Sequence, residues 1–125
     1  MQQENGVAQS VTNAWRWRCR YCILQCMIRH CSLWKFTDAA PVGLINEVTD
    51  AFYAAAEEIP SVRACQVGGN VGYLPTNYDF AIAIDFDDVE GYREYVAHER
   101  HMQLFRDYLE PYLESRAAVQ FELRA

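Results

Sequence analysis

Tyr78-Asp79-Phe80-Ala81-Ile82-Ala83-Ile84-Asp85-Phe86 is the clearest strand in the chain. Tyr78, Phe80, Ile82, Ile84 and Phe86 fall on one side of a pleated strand, and Asp79, Ala81, Ala83 and Asp85 on the other. Asp87 follows as a helix cap, with Glu90 three residues on completing a capping box. Val89, Tyr92 and Val96 then form an apolar helical stripe. A strand that passes directly into a capped helix is one half of a repeated unit, and the other half precedes it.

Residues 28–36 alternate in the same way. Ile28, His30, Ser32, Trp34 and Phe36 share one face; Arg29, Cys31, Leu33 and Lys35 share the other. Pro41 suits a first helical turn. Leu44, Ile45, Val48, Ala51, Phe52, Ala55 and Ile59 repeat at helical spacing and stop before Pro60. Val62 to Val67 reads as a short strand, and the glycines and asparagines from Gly68 to Asn77 supply turn chemistry. After the second helix, Met102, Phe105, Leu109 and Tyr112 or Leu113 mark another helical stretch, and Val119, Phe121 and Leu123 a last strand.

The order is strand, helix, strand, strand, helix, strand. This is the α+β, ferredoxin-like βαββαβ pattern, with an antiparallel sheet and its helices on one face. The other face must be covered or stay wet. The large apolar groups expected there lie among Trp34, Phe36, Phe80 and Ile82. A second copy of the sheet closing over them would make a homodimer, a dimeric α/β barrel with an interior cavity.

Residues 1–26 stand outside this pattern. Their first half is polar and small, and Trp15-Arg16-Trp17-Arg18-Cys19-Arg20-Tyr21-Cys22 fits neither a strand nor a helix. The segment reads as a disordered leader or an over-long gene start before Met27, with an Arg-rich transit peptide as the alternative. Residues 27–125 form the single domain. The leader carries a net charge of +2, so the rest carries −8 of the total −6. Such acidity argues against nucleic acid, which needs a basic footprint, and no apolar run is long enough to span a membrane. Cys19, Cys22, Cys26, Cys31 and Cys65 are odd in number with no convincing secretory signal before them, which favours a reduced, cytoplasmic setting. The first four have two, three and four residues between them, a poor fit to the paired spacing of structural zinc.

All three histidines fall in two short segments. His30 lies in the first strand; His98 and His101 lie at the end of the second helix. Histidine is the side chain best suited to moving protons near neutral pH. The plainer reading is structural: His30 satisfying polar groups inside the fold, and His98 capping a helix end. A metal pair from His98 and His101, at i,i+3 spacing, is the weaker alternative.

At six places the residues resemble the Dabb family of stress-responsive dimeric α/β-barrel proteins. These are Met27-Ile28-Arg29-His30 with Leu33-Trp34-Lys35-Phe36, Glu58-Ile59-Pro60-Ser61-Val62, Gly69-Asn70-Val71, Tyr78-Asp79-Phe80-Ala81, Phe86-Asp87-Asp88, and Tyr95 with His98 and His101. The resemblance runs from Met27 to about Leu123 and implies a ferredoxin-like fold, a homodimer and a cavity at the barrel mouth. It is distantly similar to the family's plant polyketide cyclase, olivetolic acid cyclase, which closes a poly-keto chain by an aldol reaction. That likeness implies catalytic roles for Tyr95 and His101, a strand-one histidine at His30, and Glu122 as the acidic partner of the catalytic histidine.

The pocket implied by this reading holds Trp34, Phe36, Phe52, Phe80, Ile82 and His98, and takes a small apolar molecule with no cofactor. Phe52 and Phe80 replace polar pocket residues of the cyclase, and Glu99 stands where relatives often have proline. Some relatives hold a cation on backbone carbonyls matching Ala56, Ile59 and Val62. Two functions follow: acid–base catalysis on a carbonyl compound, or non-catalytic trapping of a hydrophobic ligand in the same cavity.

Overall fold

A computed structural model describes residues 26–124. The readings of residues 1–26 as leader and of Cys19 and Cys22 as metal ligands lie outside the described residues, apart from Cys26. Cys26 is disulfide-bonded, which departs from an all-thiol reading, while Cys31 and Cys65 are free.

The elements follow the expected order. β1 is Ile28–Phe36, α1 Leu44–Glu58, β2 Val62–Gly69, β3 Phe80–Phe86, α2 Val89–Ala97, α3 Glu99–Leu104, and β4 Leu113–Glu122; a π-helical turn, Phe105–Leu109, continues α3. The sheet runs β2-β3-β1-β4 with every neighbour antiparallel, the ferredoxin-like arrangement. No helix among the described residues is long and apolar enough to cross a membrane.

Local rules explain the boundaries. Gly43 adopts φ +93 ahead of α1, a left-handed conformation that glycine takes without the Cβ penalty. The helix therefore starts at Leu44, and Pro41 sits in the turn before it, its carbonyl accepting from Leu44 N. Gly69 lets β2 run two residues past Val67, because a Cβ there would stand 2.6 Å from Ile45 Cγ2 on α1. The cap of α2 is Asp88, not Asp87. Its backbone is fully extended, and its Oδ1 accepts from Gly91 N at 2.9 Å. Position N3 is then Gly91, which has no side chain to return the bond, so no capping box forms. Asp87 instead meets Arg63 at 2.9 Å.

The helices cover the face bearing His30, Ser32, Trp34 and Phe36 of β1 and Phe80, Ile82, Ile84 and Phe86 of β3, all of them buried. This corrects the expectation that Trp34, Phe36, Phe80 and Ile82 lie on the open face. Trp34 packs against Phe52 and Phe80, with ring centroids 5.4 and 5.3 Å away, and these groups are the monomer's own core. The alternation holds and the covered side is the opposite one, because α1 brings Phe52 and Val48 down onto that face. The open face carries instead Leu33, Val119 and Phe121, each exposed by more than two fifths, beside Ala81, Ala83 and Ala117. Asp85 is buried on that side under a two-point ion pair with Arg29, at 2.7 and 2.9 Å.

The second helix buries Tyr95 rather than the Val89 and Val96 of the expected stripe, which are 44% and 40% exposed. β4 is also longer than Val119–Leu123 suggested. Its N-terminal half, Leu113 to Ala118, mixes charged and small residues that carry little strand signal on their own.

Candidate functional site

The sheet fixes His30 first. On β1 its side chain points towards the helices, and β4 places Gln120 directly opposite it. The Gln120 amide Nε2 lies 2.9 Å from His30 Nδ1. An amide nitrogen only donates, so Nδ1 accepts and a neutral His30 carries its proton on Nε2. Burial, then the charges of His101 and Arg116, lower its pKa from the usual 6.5 to about 4. The ring is therefore neutral at pH 7 and a donor through Nε2.

The break between α2 and α3 fixes His101. His98 takes φ −70 and ψ 141, which ends one helix, and its Nδ1 accepts from Arg100 N at 3.1 Å to start the next. The break needs no proline after it; Glu99 opens α3 in its place. His98 is thus a cap, and it does not line the cavity expected to contain it.

One turn on, His101 Nδ1 lies 3.0 Å from the Val96 carbonyl. A carbonyl only accepts, so Nδ1 holds the proton and the neutral ring presents a lone pair at Nε2. Burial lowers the pKa of His101, with the Val96 bond opposing and Arg116 assisting. The partner expected at Glu122 is replaced by this carbonyl. Glu122 lies opposite Ile28 at the far end of β4, outside the cavity lining.

Tyr95 sits between the two imidazoles. Its ring centroid is 4.5 Å from that of His101 and 6.2 Å from that of His30, and it packs on Phe86 at 5.2 Å. The residue is 2% exposed, and its hydroxyl oxygen has no hydrogen-bond partner among the described residues. Burial holds the phenol protonated, far above its ordinary range. Native proteins pair nearly all such groups, so an orphaned one calls for a physical account.

These three side chains line a cavity of about 270 Å³ between the sheet and the two short helices. Trp34 and Ile82 of the expected pocket line it as well, with Ser32, Val96, Phe105 and Leu109. Ser32 Oγ accepts from Trp34 Nε1 at 2.7 Å, which pins the indole. The π-helical turn widens the backbone where Phe105 and Leu109 meet the cavity; such turns recur at functional sites. Phe52 and Phe80 do not line this cavity: they are 2% and 1% exposed and belong to the core.

Phe36 lines a second, more open groove of about 560 Å³ near the start of α1, where Asp38 and Asp79 are the acids. Asp79 Oδ2 is already committed to Phe36 N at 2.8 Å, and no histidine or tyrosine reaches that groove. The smaller cavity is therefore the one that gathers histidine and tyrosine side chains.

Sequence reasoning missed Arg116, Ala118 and Gln120. All lie on β4 in the two-residue alternation that Glu122 begins, which was the available signal. Tyr53, beside Phe52, seals the outer edge of β2, its hydroxyl accepting from Val67 N at 3.1 Å. Ala56, Ile59 and Val62 surround the turn from α1 to β2, where the Ile59 carbonyl accepts from Val62 N at 3.1 Å. Among the described residues, no three His, Cys, Asp or Glu side chains gather in a way that would hold a metal ion.

Comparison with known proteins agrees with this architecture. An uncharacterized protein of Streptomyces coelicolor is 33% identical over 79 residues, covering 60% of this chain and 79% of its own. A dimeric ferredoxin-like protein of unknown function from Thermobifida fusca is 31% identical, with a TM-score of 0.73 over 79% of this chain and 92% of that one. The hydroxynitrile lyase of Passiflora edulis shares the fold at 11% identity, with a TM-score of 0.68 over 78% and 94%. The family model for the stress responsive A/B barrel domain matches residues 28–123. On that match, which spans nearly all of the described chain, the protein belongs to the Dabb family of stress responsive A/B barrel domains.

Proposed function

We propose that the chain is a cofactor-independent acid–base catalyst acting on a small carbonyl compound in the cavity of His30, Tyr95 and His101, and that it works as a homodimer. The observation that carries the reading is the buried Tyr95 hydroxyl, unpartnered and beside the His101 ring. A ligand oxygen would supply the missing partner.

The roles follow from the tautomers. His101 Nε2 takes a proton from the carbon alpha to the carbonyl. Tyr95 donates to the carbonyl oxygen as negative charge develops there, and His30 Nε2–H is a second donor nearby. Both imidazoles are held neutral by burial, so one is free to accept a proton and the other to donate a hydrogen bond. General-base help is worth roughly 10²–10⁴ in rate, and a positioned donor roughly 10²–10³ more. Gln120 and the Val96 carbonyl are positioning groups that fix which nitrogen does which work. The enolate so formed can close a ring by aldol attack or expel a small leaving group. The dimer rests on the apolar open sheet face and on the dimeric T. fusca relative.

The second reading is a non-catalytic ligand trap. It is favoured by the apolar part of the lining, Trp34, Ile82, Val96, Phe105 and Leu109. Turnover of a panel of poly-keto and enolisable carbonyl compounds separates the two. Tyr95→Phe is expected to lower turnover by roughly 10²-fold and His101→Ala to abolish it, both with ligand affinity nearly intact, because catalysis uses contacts stronger in the transition state than in the ground state. Tyr95→Phe removes an unpaired polar atom, so its stability should match or exceed that of the parent, and lost turnover would not reflect unfolding. Absence of turnover across the panel, with tight binding of apolar compounds, would favour the trap.

A further inference from the structure

Among the described residues the cavity lining holds one formally charged side chain, and it is a cation. Arg116 reaches the cavity from β4, opposite Trp34 in register. Among the described residues no Asp or Glu lines the cavity, in a chain whose net charge is −6. Five other arginines among the described residues pair with a carboxylate: Arg29 with Asp85, Arg63 with Asp87, Arg93 with Glu90, Arg100 with Glu58, and Arg106 with Glu99. Arg116, which is exposed at the cavity mouth, has no such pairing among the described residues. An unpaired guanidinium at the edge of a cavity lined by neutral rings is set up to bind a planar anion, whose two oxygens match its fork of N–H donors.

The buried Tyr95 hydroxyl is an independent sign of a ligand. It is more than nine-tenths buried, belongs to the same cavity lining, and lacks a hydrogen-bond partner. Arg116 and Tyr95 thus offer recognition of two different oxygen functions, one charged and one neutral. The apolar lining of Trp34, Ile82 and Phe105 accommodates the carbon frame between them.

From this arrangement we infer that the cavity takes an oxo acid, with its carboxylate on the Arg116 guanidinium and its ketone oxygen under the Tyr95 hydroxyl. The inference rests on the proposed site and narrows its substrate class from small apolar carbonyl compounds to amphipathic keto acids. Arg116 binds and orients; it takes no part in the proton transfer.

The test uses 4-oxo-4-phenylbutanoate and its methyl ester, which share the ketone and the ring and differ in the charge. Titration calorimetry on the full chain is expected to show the acid binding at least about tenfold more tightly than the ester, the ratio that 1.4 kcal/mol gives. Arg116→Gln is expected to erase that preference and leave ester affinity unchanged. Arg116→Lys should retain part of it, since the charge remains and the fork is lost. The preference should also shrink with added salt. Equal binding of acid and ester, or a preference that survives Arg116→Gln, overturns the inference alone. Failure of both probes to bind overturns the proposed site together with it.

Discussion

At single residues, the most informative feature is that two histidines in one cavity are held in opposite tautomers. Gln120 gives His30 a proton donor to accept, and Val96 gives His101 a carbonyl to donate to. The sequence shows that all three histidines fall in two segments, and nothing in it shows which nitrogen is free. That depends on Gln120, which is 90 residues away in sequence and sits between Val119 and Phe121 on β4, with no local signal that it faces His30.

Burial of His30 has a consequence for stability. Its pKa in the folded chain, about 4, lies below the 6.5 of an exposed imidazole. Protonation therefore favours the unfolded chain. The stabilising contribution is fully present above about pH 6.5 and is lost as pH falls towards 4. His101, Arg116, Tyr92 and Tyr95 surround the ring, and none of them is an acid that would retain the proton. Urea unfolding between pH 7 and pH 4 should show stability falling, and His30→Gln should make that fall shallower. An unchanged slope in His30→Gln would place the acid sensitivity elsewhere.

Among the elements, the joint between α2 and α3 decides where His101 points. The six-place resemblance made the missing proline at Glu99 a departure that touched this joint. The structure makes the break by other means, with His98 in an extended conformation and its ring capping Arg100 N. His98 already has the backbone that a following proline demands, and position N1 of a helix tolerates proline well. Glu99→Pro should therefore leave the melting temperature unchanged or raise it, with a gain of up to about 1 kcal/mol from a stiffer unfolded chain. The lost Glu99–Arg106 pair is half-exposed or more on both sides and is worth little. His98→Ala, by contrast, should cost about 1 kcal/mol through the lost cap. A marked destabilisation by Glu99→Pro would show that the joint differs from the one described.

The elements themselves were largely legible because strong alternation and helical spacing mark them. Errors came where one rule had two solutions. Alternation separates Trp34 from Leu33, and it does not say which side the helices cover. Size alone puts the large residues on the open face, and packing by α1 puts them under the helices. Asp87 and Asp88 are equally good caps by composition, and only the extended backbone of Asp88 distinguishes them.

For the whole molecule, the open face of the sheet is the feature that a monomer leaves unexplained. Leu33, Val119 and Phe121 are exposed together with the small residues Ala81 and Ala117, a flat apolar surface of the kind that pairs. Burying it against a second copy accounts for both the surface and the dimeric relative. Sedimentation at micromolar concentration should give a dimer of about twice the 14.5 kDa chain mass. Val119→Asp should shift it towards monomer, since a charge there would have to be desolvated in the interface. A stable monomer of the parent chain would contradict this.

The proton transfer itself can be read by nuclear magnetic resonance, as exchange of the α-protons of 4-oxo-4-phenylbutanoate for deuterium in heavy water. The parent protein is expected to speed exchange at the carbon next to the ketone well above background. His101→Gln should return it to background, and Tyr95→Phe should lower it by roughly 10²-fold, the usual cost of losing one oxyanion donor. Both variants should bind the ligand about as tightly as the parent. Exchange at the background rate in the parent chain, despite saturating ligand, would contradict the acid–base reading and leave the cavity a binding site.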